Sequence, residues 1–249
     1  MHRFYLPPGK TRDAELLLED GEAHHAHNVL RIRPGEQVTV LNGAGEELIC
    51  TVESLSRREV RLRVLHRQSF PPPPFAVSLI QAIPRAKVMD SIVQKGTELG
   101  VSRIVPLLSE RVTVRVDETS ASEKPVKWTS VAIEAIKQCG TPWLPTIQPP
   151  ITLKQLLDRH ETADLALVGS LQPGSRHPRH WFDQYRQRHN GPPRSVHIWI
   201  GPEGDFTPAE LEMIQAAGAH PITLGPYVLR SDTAALYCLS VTNHELRQE

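Results

Sequence analysis

Four consecutive prolines, at residues 71–74, divide the chain. Each lacks a backbone N–H and fixes its φ, so the run cannot continue a helix or a sheet and forms a stiff extended spacer. The hydrophobic pattern differs on its two sides, which places a domain boundary there, with residues 1–70 and 75–249 as separate domains. Before it, the runs 37–41 and 47–52 flank Asn42-Gly43-Ala44-Gly45, a hairpin signal. A third run, 60–64, alternates strictly between apolar and basic residues. Phe4 and Leu6 fit an early strand, and the segment before Pro34 a short helix. This part reads as a small, strongly bent sheet or β-barrel.

After the prolines, strand patterns at 75–83, 103–108, 164–169, 195–200 and 222–225 alternate with helical ones at 89–100, 126–138, 153–160 and 232–246. A further helix starts at Thr207, whose spacing to Glu210 makes a capping box, with Pro208 in its first turn. Residues 171–194, rich in Pro, Arg and His, read as a long, partly helical excursion. Such alternation implies an α/β domain with a parallel sheet covered by helices. No apolar stretch approaches the ~20 residues of a membrane span, and the first residues lack the apolar core of a signal peptide. Cys50, Cys139 and Cys238 are far apart, which suggests neither a disulfide framework nor a zinc site, and a cytoplasmic location follows. Basic and acidic residues balance at 28 each. The chain is therefore no general polyanion binder, and a nucleic-acid partner requires positive charge gathered on one face.

In open α/β sheets, ligands bind beyond the carboxyl ends of the strands. Three loops occupy that position here: Val168-Gly169-Ser170-Leu171, Ile200-Gly201-Pro202-Glu203-Gly204, and the run from Leu224-Gly225-Pro226 to Arg230. A glycine at each strand end lets the backbone approach a ligand closely. Neither the dinucleotide fingerprint nor the phosphate-binding loop is present, so a nicotinamide or ATP site is poorly supported. Pro202 and Pro226 stiffen their loops, which suits adenine or ribose held by backbone hydrogen bonds.

These residues belong to longer motifs. They are Gln81-Ala82-Ile83-Pro84-Arg85-Ala86-Lys87, Gln94-Lys95-Gly96-Thr97-Glu98-Leu99-Gly100-Val101, Ile104-Val105-Pro106-Leu107, Ile200-Gly201-Pro202-Glu203-Gly204-Asp205-Phe206, and the run Leu224-Gly225-Pro226-Tyr227-Val228-Leu229-Arg230-Ser231-Asp232-Thr233-Ala234. Together they resemble the SPOUT methyltransferases and, within them, the bacterial 16S ribosomal RNA uridine-N3 methyltransferases. Arg3-Phe4-Tyr5 and the run His27-Asn28-Val29-Leu30-Arg31-Ile32-Arg33-Pro34-Gly35 resemble that family's RNA-binding, PUA-like module. The chain departs from the family pattern at Asp205, where a further glycine is usual, and at Asp232, where the acid is usually longer. After Gln138 it has Cys139-Gly140-Thr141-Pro142, with no arginine.

The resemblance implies a C-terminal parallel-sheet SPOUT domain whose end is threaded into a trefoil knot. It also implies a homodimer acting on 16S rRNA of the small ribosomal subunit, while the residues themselves give no reason to expect a metal or a membrane. S-adenosylmethionine would be held by Val168, Gly169, Ser170 and Leu171, by Ile200, Gly201 and Gly204, and by Leu224, Gly225, Val228, Leu229, Thr233 and Ala234. Arg230 would stabilise the uridine anion, with Glu203 or Asp232 as proton acceptors. Asp232 reads equally as a helix N-cap, and Glu203 equally as a loop brace. Arg61, Arg63 and Arg67 share one parity of their strand, which lines them up outward near Arg57 and Arg58. With Arg3, Arg31 and Arg33 they are the candidate RNA contacts. Lys95 and Glu98 lie opposite the apolar stripe of their helix and read as solvated. His24, His25 and His27 lack a carboxylate or cysteine at metal-ligand spacing. Two alternatives stay open: a non-catalytic RNA-binding assembly factor on the same fold, and a SPOUT enzyme acting on another RNA.

Overall fold

A computed structural model describes residues 1–85, 88–112 and 118–247. Ala86 and Lys87 of the first motif therefore lie outside the described residues. The chain forms two compact units, Met1–Pro72 with Ile133–Leu144, and Pro73–Ala132 with Pro145–Glu249.

The first unit is a five-stranded sheet in the order β1-β3-β4-β5-β2. Its strands are β1 (His2–Tyr5), β2 (Glu15–Glu19), β3 (Gln37–Leu41), β4 (Glu46–Leu55) and β5 (Glu59–Ser69). β1 runs parallel to β3, and the other pairs are antiparallel. Phe4 of one edge strand and Leu16 and Leu18 of the other share one core with Val40, Leu48, Val52 and Leu62. A flat sheet could not bring both edges to one core, so the sheet is curled. Helix α1 (Asp20–His24) and a π-helical continuation, His25–Leu30, close it with Ala23 and Ala26. Residues 142–144 join this unit at the β3–β4 turn: Gly45 N–H donates to the Pro142 carbonyl at 3.0 Å, and Leu144 N–H to that of Gly43. A Cβ on Gly45 would lie 2.4 Å from the Trp143 ring, so only glycine fits.

The outward parity read for three arginines holds for two. Val64 pairs with Cys50 but His66 with Ile49, so Leu65 is an extra residue in β5. That bulge shifts the facing by one. Arg67 stands opposite buried Leu48, and its guanidinium donates to the Thr11 carbonyl at 2.6 Å and to Glu46.

The second unit is a seven-stranded sheet in the order β12-β10-β11-β6-β7-β8, with β9 also on β7. The strands are β6 (Ala76–Ala82), β7 (Arg103–Leu108), β8 (Thr146–Ile147), β9 (Ile151–Thr152), β10 (Leu165–Gly169), β11 (Ser195–Ile200) and β12 (His220–Ile222). Every pairing is parallel. The helices are α2 (Val88–Glu98), α4 (Leu153–Leu157), α5 (Pro178–His189), α6 (Pro208–Ala216) and α7 (Ser231–Leu246), while α3 (Glu118–Cys139) belongs to this unit up to Ala132 and to the first unit from Ile133. Ile80, Val105, Val168 and Trp199 face one core with Leu153 and Leu156 of α4 and Leu211 and Ile214 of α6. On α2, Met89, Ile92, Val93 and Gly96 are buried, whereas Lys95 and Glu98 are exposed. α7 packs on α2, β6 and β11.

Two elements differ from the sequence reading. The last strand is His220–Ile222 rather than 222–225. Pro221 argues against a strand, yet it is tolerated because β12 is an edge. Helix α3 starts upstream of the 126–138 reading and contains Pro125, a residue that reads as a boundary. After β12 the chain returns from the sheet edge to its middle, where Ser231 bonds Gln81 of β6. A threaded C-terminus needs such a return. Among the described residues no helix is long and apolar enough to cross a membrane, and no group of three His, Cys, Asp or Glu could hold a metal.

Candidate active site

The carboxyl ends of β10, β11 and β12 surround one cavity of about 470 Å³. Its walls are residues 169–175, then 200–203 with Asp205, then 223–229, closed by Ser231 and Ala234. Gly169, Ser170, Leu171, Ile200, Gly201, Leu224, Gly225, Val228, Leu229 and Ala234 thus come together as the loop reading expects. Three others do not line it. Val168 is buried in the sheet core, Gly204 turns its carbonyl to Arg111, and Thr233 is exposed on the first turn of α7. The walls combine apolar side chains and backbone polar groups with the side chains of Ser170, Gln172, Ser175, Thr223, Tyr227 and Ser231, and among the described residues the acidic side chains lining it are Glu203 and Asp205. That chemistry suits a nucleoside-sized ligand carrying positive charge.

The loop from Gly201 to Asp205 is held from three sides. Ser231 Oγ donates to the Gly201 carbonyl at 3.1 Å and accepts from Gln81 Nε2 at 2.8 Å. Glu203 Oε1 accepts from the Arg85 backbone N–H at 3.0 Å, so this carboxylate braces the loop while it also lines the cavity. Arg111 Nη1 donates to the Gly204 carbonyl at 2.6 Å. Gly201 is needed for packing, because a Cβ there would lie 3.0 Å from Asp205 Oδ1 and 3.1 Å from Phe206 N. Asp205 has φ 59°, a left-handed conformation, which explains why a glycine is usual there. Aspartate tolerates it, and its Oδ1 accepts from Phe206 N–H at 2.8 Å.

Arg230 is exposed at the N-cap position of α7, immediately before Ser231, and does not line the cavity. Asp232 is a residue of the first turn rather than the N-cap, since Ser231 is already helical. Its Oδ1 accepts from Thr233 N–H at 2.9 Å, and it too lies off the cavity wall. A second cavity, of about 250 Å³, opens in the same unit and is lined by Arg103, Glu161 and His197 among apolar residues. It has none of the three strand-end loops.

In the first unit, Arg3 Nη1 donates to the carbonyls of Lys137 and Gln138, at the end of α3. A Cβ on Gly140 would lie 2.8 Å from this guanidinium, so the residues after Gln138 leave room for Arg3. Arg61, Arg63 and Arg67 are paired with Glu59, Glu53 and Glu46. Arg31, Arg33, Arg57 and Arg58 are exposed and have no ion pair among the described residues. Asn28 bonds His24 and His27, which occupies the histidine cluster internally.

The model of the RNA methyltransferase domain matches residues 71–243, and that of the RNA methyltransferase PUA domain residues 18–65. The chain belongs to the RNA methyltransferase domain family. Within it, the chain is 30% identical to the ribosomal RNA small subunit methyltransferase E of Bacillus subtilis, over 98% of this chain and 97% of that one. Two solved structures share the fold. The ribosomal RNA small subunit methyltransferase E of Neisseria gonorrhoeae, bound to S-adenosyl methionine, superposes with a TM-score of 0.84 at 29% identity, covering 98% of this chain and 97% of that one. A Legionella pneumophila protein in complex with the bound cofactor SAM gives 0.87 at 32% identity, covering 97% and 96%.

Several wall residues of this RNA methyltransferase escape a strand-end reading. Pro173 and Ser175 sit beyond the glycine of their loop, and Ser231 lies between the third loop and the helix read from residue 232. The polar step Arg230-Ser231-Asp232 after a proline-stiffened loop was the available signal for Ser231. Nothing in the pattern marks Arg111, which reaches Gly204 only because β7 and β11 flank β6.

Proposed function

We propose that the chain transfers a methyl group from S-adenosylmethionine to N3 of a uridine in 16S rRNA of the small ribosomal subunit, in the cytoplasm. One observation carries this reading: three glycine-ended loops, far apart in sequence, close on a single cavity with two carboxylates in its wall. The cavity fits the cofactor, since apolar and backbone groups suit adenine and ribose and the carboxylates suit a cationic centre. Gly169–Leu171, Gly201, Leu224, Gly225, Val228 and Leu229 would hold it. When bound, S-adenosylmethionine supplies an electrophilic methyl group on sulfonium.

The remaining steps fall to this chain's residues. N3 lies on the Watson–Crick edge, so the uridine must be unpaired or flipped out. Holding N3 in line with the methyl group supplies much of the acceleration. The N3 proton is a far weaker acid than a carboxylic acid, so a cation beside the ring favours its loss. Arg230, exposed next to the cavity wall, has that role in this reading. Glu203 is the better placed proton acceptor, because it lines the cavity whereas Asp232 does not. Arg31, Arg33, Arg57 and Arg58 offer charge to RNA phosphates without breaking an ion pair. A homodimer is supported by the cavity rim, where Leu171, Tyr227 and Val228 are 61%, 80% and 76% exposed. A second copy would cover this apolar edge.

The test is transfer of labelled methyl to unmodified 16S rRNA, naked and as assembled 30S subunits. Label mapped to N3 of one uridine is the expected result. Cofactor binding without transfer to either form would exclude this substrate.

A further inference from the structure

We propose that Arg111 is an RNA-binding residue of the catalytic unit, which takes a backbone phosphate of the substrate strand where that strand crosses the cavity mouth. The inference rests on the reading of the substrate as RNA. Arg111 stands in the turn after β7, where the Ser109 carbonyl accepts from Val112 N–H at 3.1 Å. The turn is rigidly backed. The carboxylate of Glu210, 2% exposed, accepts from Glu110 N–H at 2.9 Å through Oε1 and from Thr207 N–H at 2.9 Å through Oε2. The Arg111 stem lies along Gly204, so that a Cβ on that glycine would be 3.4 Å from Arg111 Cδ. Its Nη1 is fixed on the Gly204 carbonyl at 2.6 Å.

Among the described residues the guanidinium is thus placed but not neutralised. No carboxylate among the described residues lies within ion-pair distance of it, whereas Arg61, Arg63, Arg67, Arg103 and Arg186 each have one. A carbonyl takes one N–H of the fork and leaves the rest exposed to an anion. The position selects the anion. Glu203 and Asp205 line the cavity, but Gly204 between them turns outward to Arg111, and neither Gly204 nor Arg111 is part of the wall. A carboxylate of a ligand inside the cavity is therefore the weaker candidate. A phosphate beside the target nucleotide, outside the cavity, is the stronger one.

The experiment compares the wild type with Arg111→Ala and Arg111→Lys. It measures methyl-transfer kinetics on 30S subunits, direct RNA binding by fluorescence anisotropy across a salt series, and S-adenosylmethionine affinity by calorimetry. For Arg111→Ala the KM for RNA should rise about tenfold, clearly more than any weakening of cofactor Kd that follows from loosening the Gly204 loop. The slope of log affinity against log salt should become shallower by about one, with partial recovery in Arg111→Lys. An unchanged salt slope, or a cofactor Kd that weakens as much as RNA binding, would show that Arg111 only braces the Gly204 loop and would overturn the proposal. A wild type that binds RNA without methylating it would refute the functional reading instead, and the salt slope would still decide on Arg111.

Discussion

Asp205 keeps a left-handed backbone at φ 59° because its carboxylate caps the next N–H and packs beside Gly201. Alanine would keep the unfavourable φ and lose the hydrogen bond. Asp205→Ala should therefore destabilise by about 1–2 kcal/mol, whereas Asp205→Gly trades the bond for an unstrained φ and should cost less than about 1 kcal/mol. Urea titrations of the two variants check the order, and a more stable alanine variant would contradict the strain. Arg230 tests chemistry rather than stability. Exposed at a helix N-cap, it can be removed without leaving a buried partner. Arg230→Ala should lower kcat at least about tenfold with cofactor Kd within about twofold, as expected for electrostatic stabilisation made late in the reaction. Equal loss of both would assign it to cofactor binding.

Helix α3 shows how an element end is made secure. Its last carbonyls carry partial negative charge and lack intrahelical donors, and the Arg3 guanidinium supplies both a cation and N–H groups there. Near the same end, buried Lys137 is paired with Glu22 and Glu134, each at 2.9 Å. Burial pushes the Glu22 carboxyl above its ordinary value, and Lys137 works against that shift. Arg3→Ala should thus destabilise by about 1–2 kcal/mol, visible as a lower Tm, because it leaves helix-end carbonyls poorly satisfied. If RNA affinity fell without any change in Tm, Arg3 would be a direct RNA contact instead.

Across the second unit, Arg103 at the start of β7 ties three separate segments. It donates to Ser78 Oγ at 3.0 Å, to Glu161, and to His197 Nε2 at 3.3 Å. An arginine only donates, so His197 must accept and stay neutral. Burial, and then the Arg103 charge, lower the His197 pKa from 6.5. The unfolded chain therefore binds the proton more readily than the folded one. The stabilisation is complete above pH 6.5 and is lost as pH falls through the depressed folded value. Replacing His197 with Gln, which keeps an acceptor without a titrating group, should flatten the fall of Tm between about pH 7 and 5. A Tm profile identical to that of the wild type would remove His197 from the acid response.

Much of this was legible from local pattern. The proline run, the hairpin at Asn42-Gly43 and the Thr207–Glu210 capping box are made by neighbouring residues, so spacing suffices to find them. The glycines ending β10 and β11 and the one at Gly225 were legible for the same reason, and with them the cavity. What spacing cannot carry is a partner chosen across the sheet. The bulge at Leu65 places Arg67 opposite Leu48, where it bonds the Thr11 carbonyl and Glu46, Arg3 is held on a helix end 134 residues away, and Arg63 and Arg67 acquire their acids only through register. Likewise, strand order alone brings Ser231, Arg85 and Arg111 around one loop. Short-range sterics and hydrophobic period make most strands, helices and glycine-ended turns readable from residues alone, apart from the strand at His220–Ile222 and the upstream start of α3. The tertiary structure decided which charges are free and which are matched, because that depends on distances between residues that the chain does not hold together.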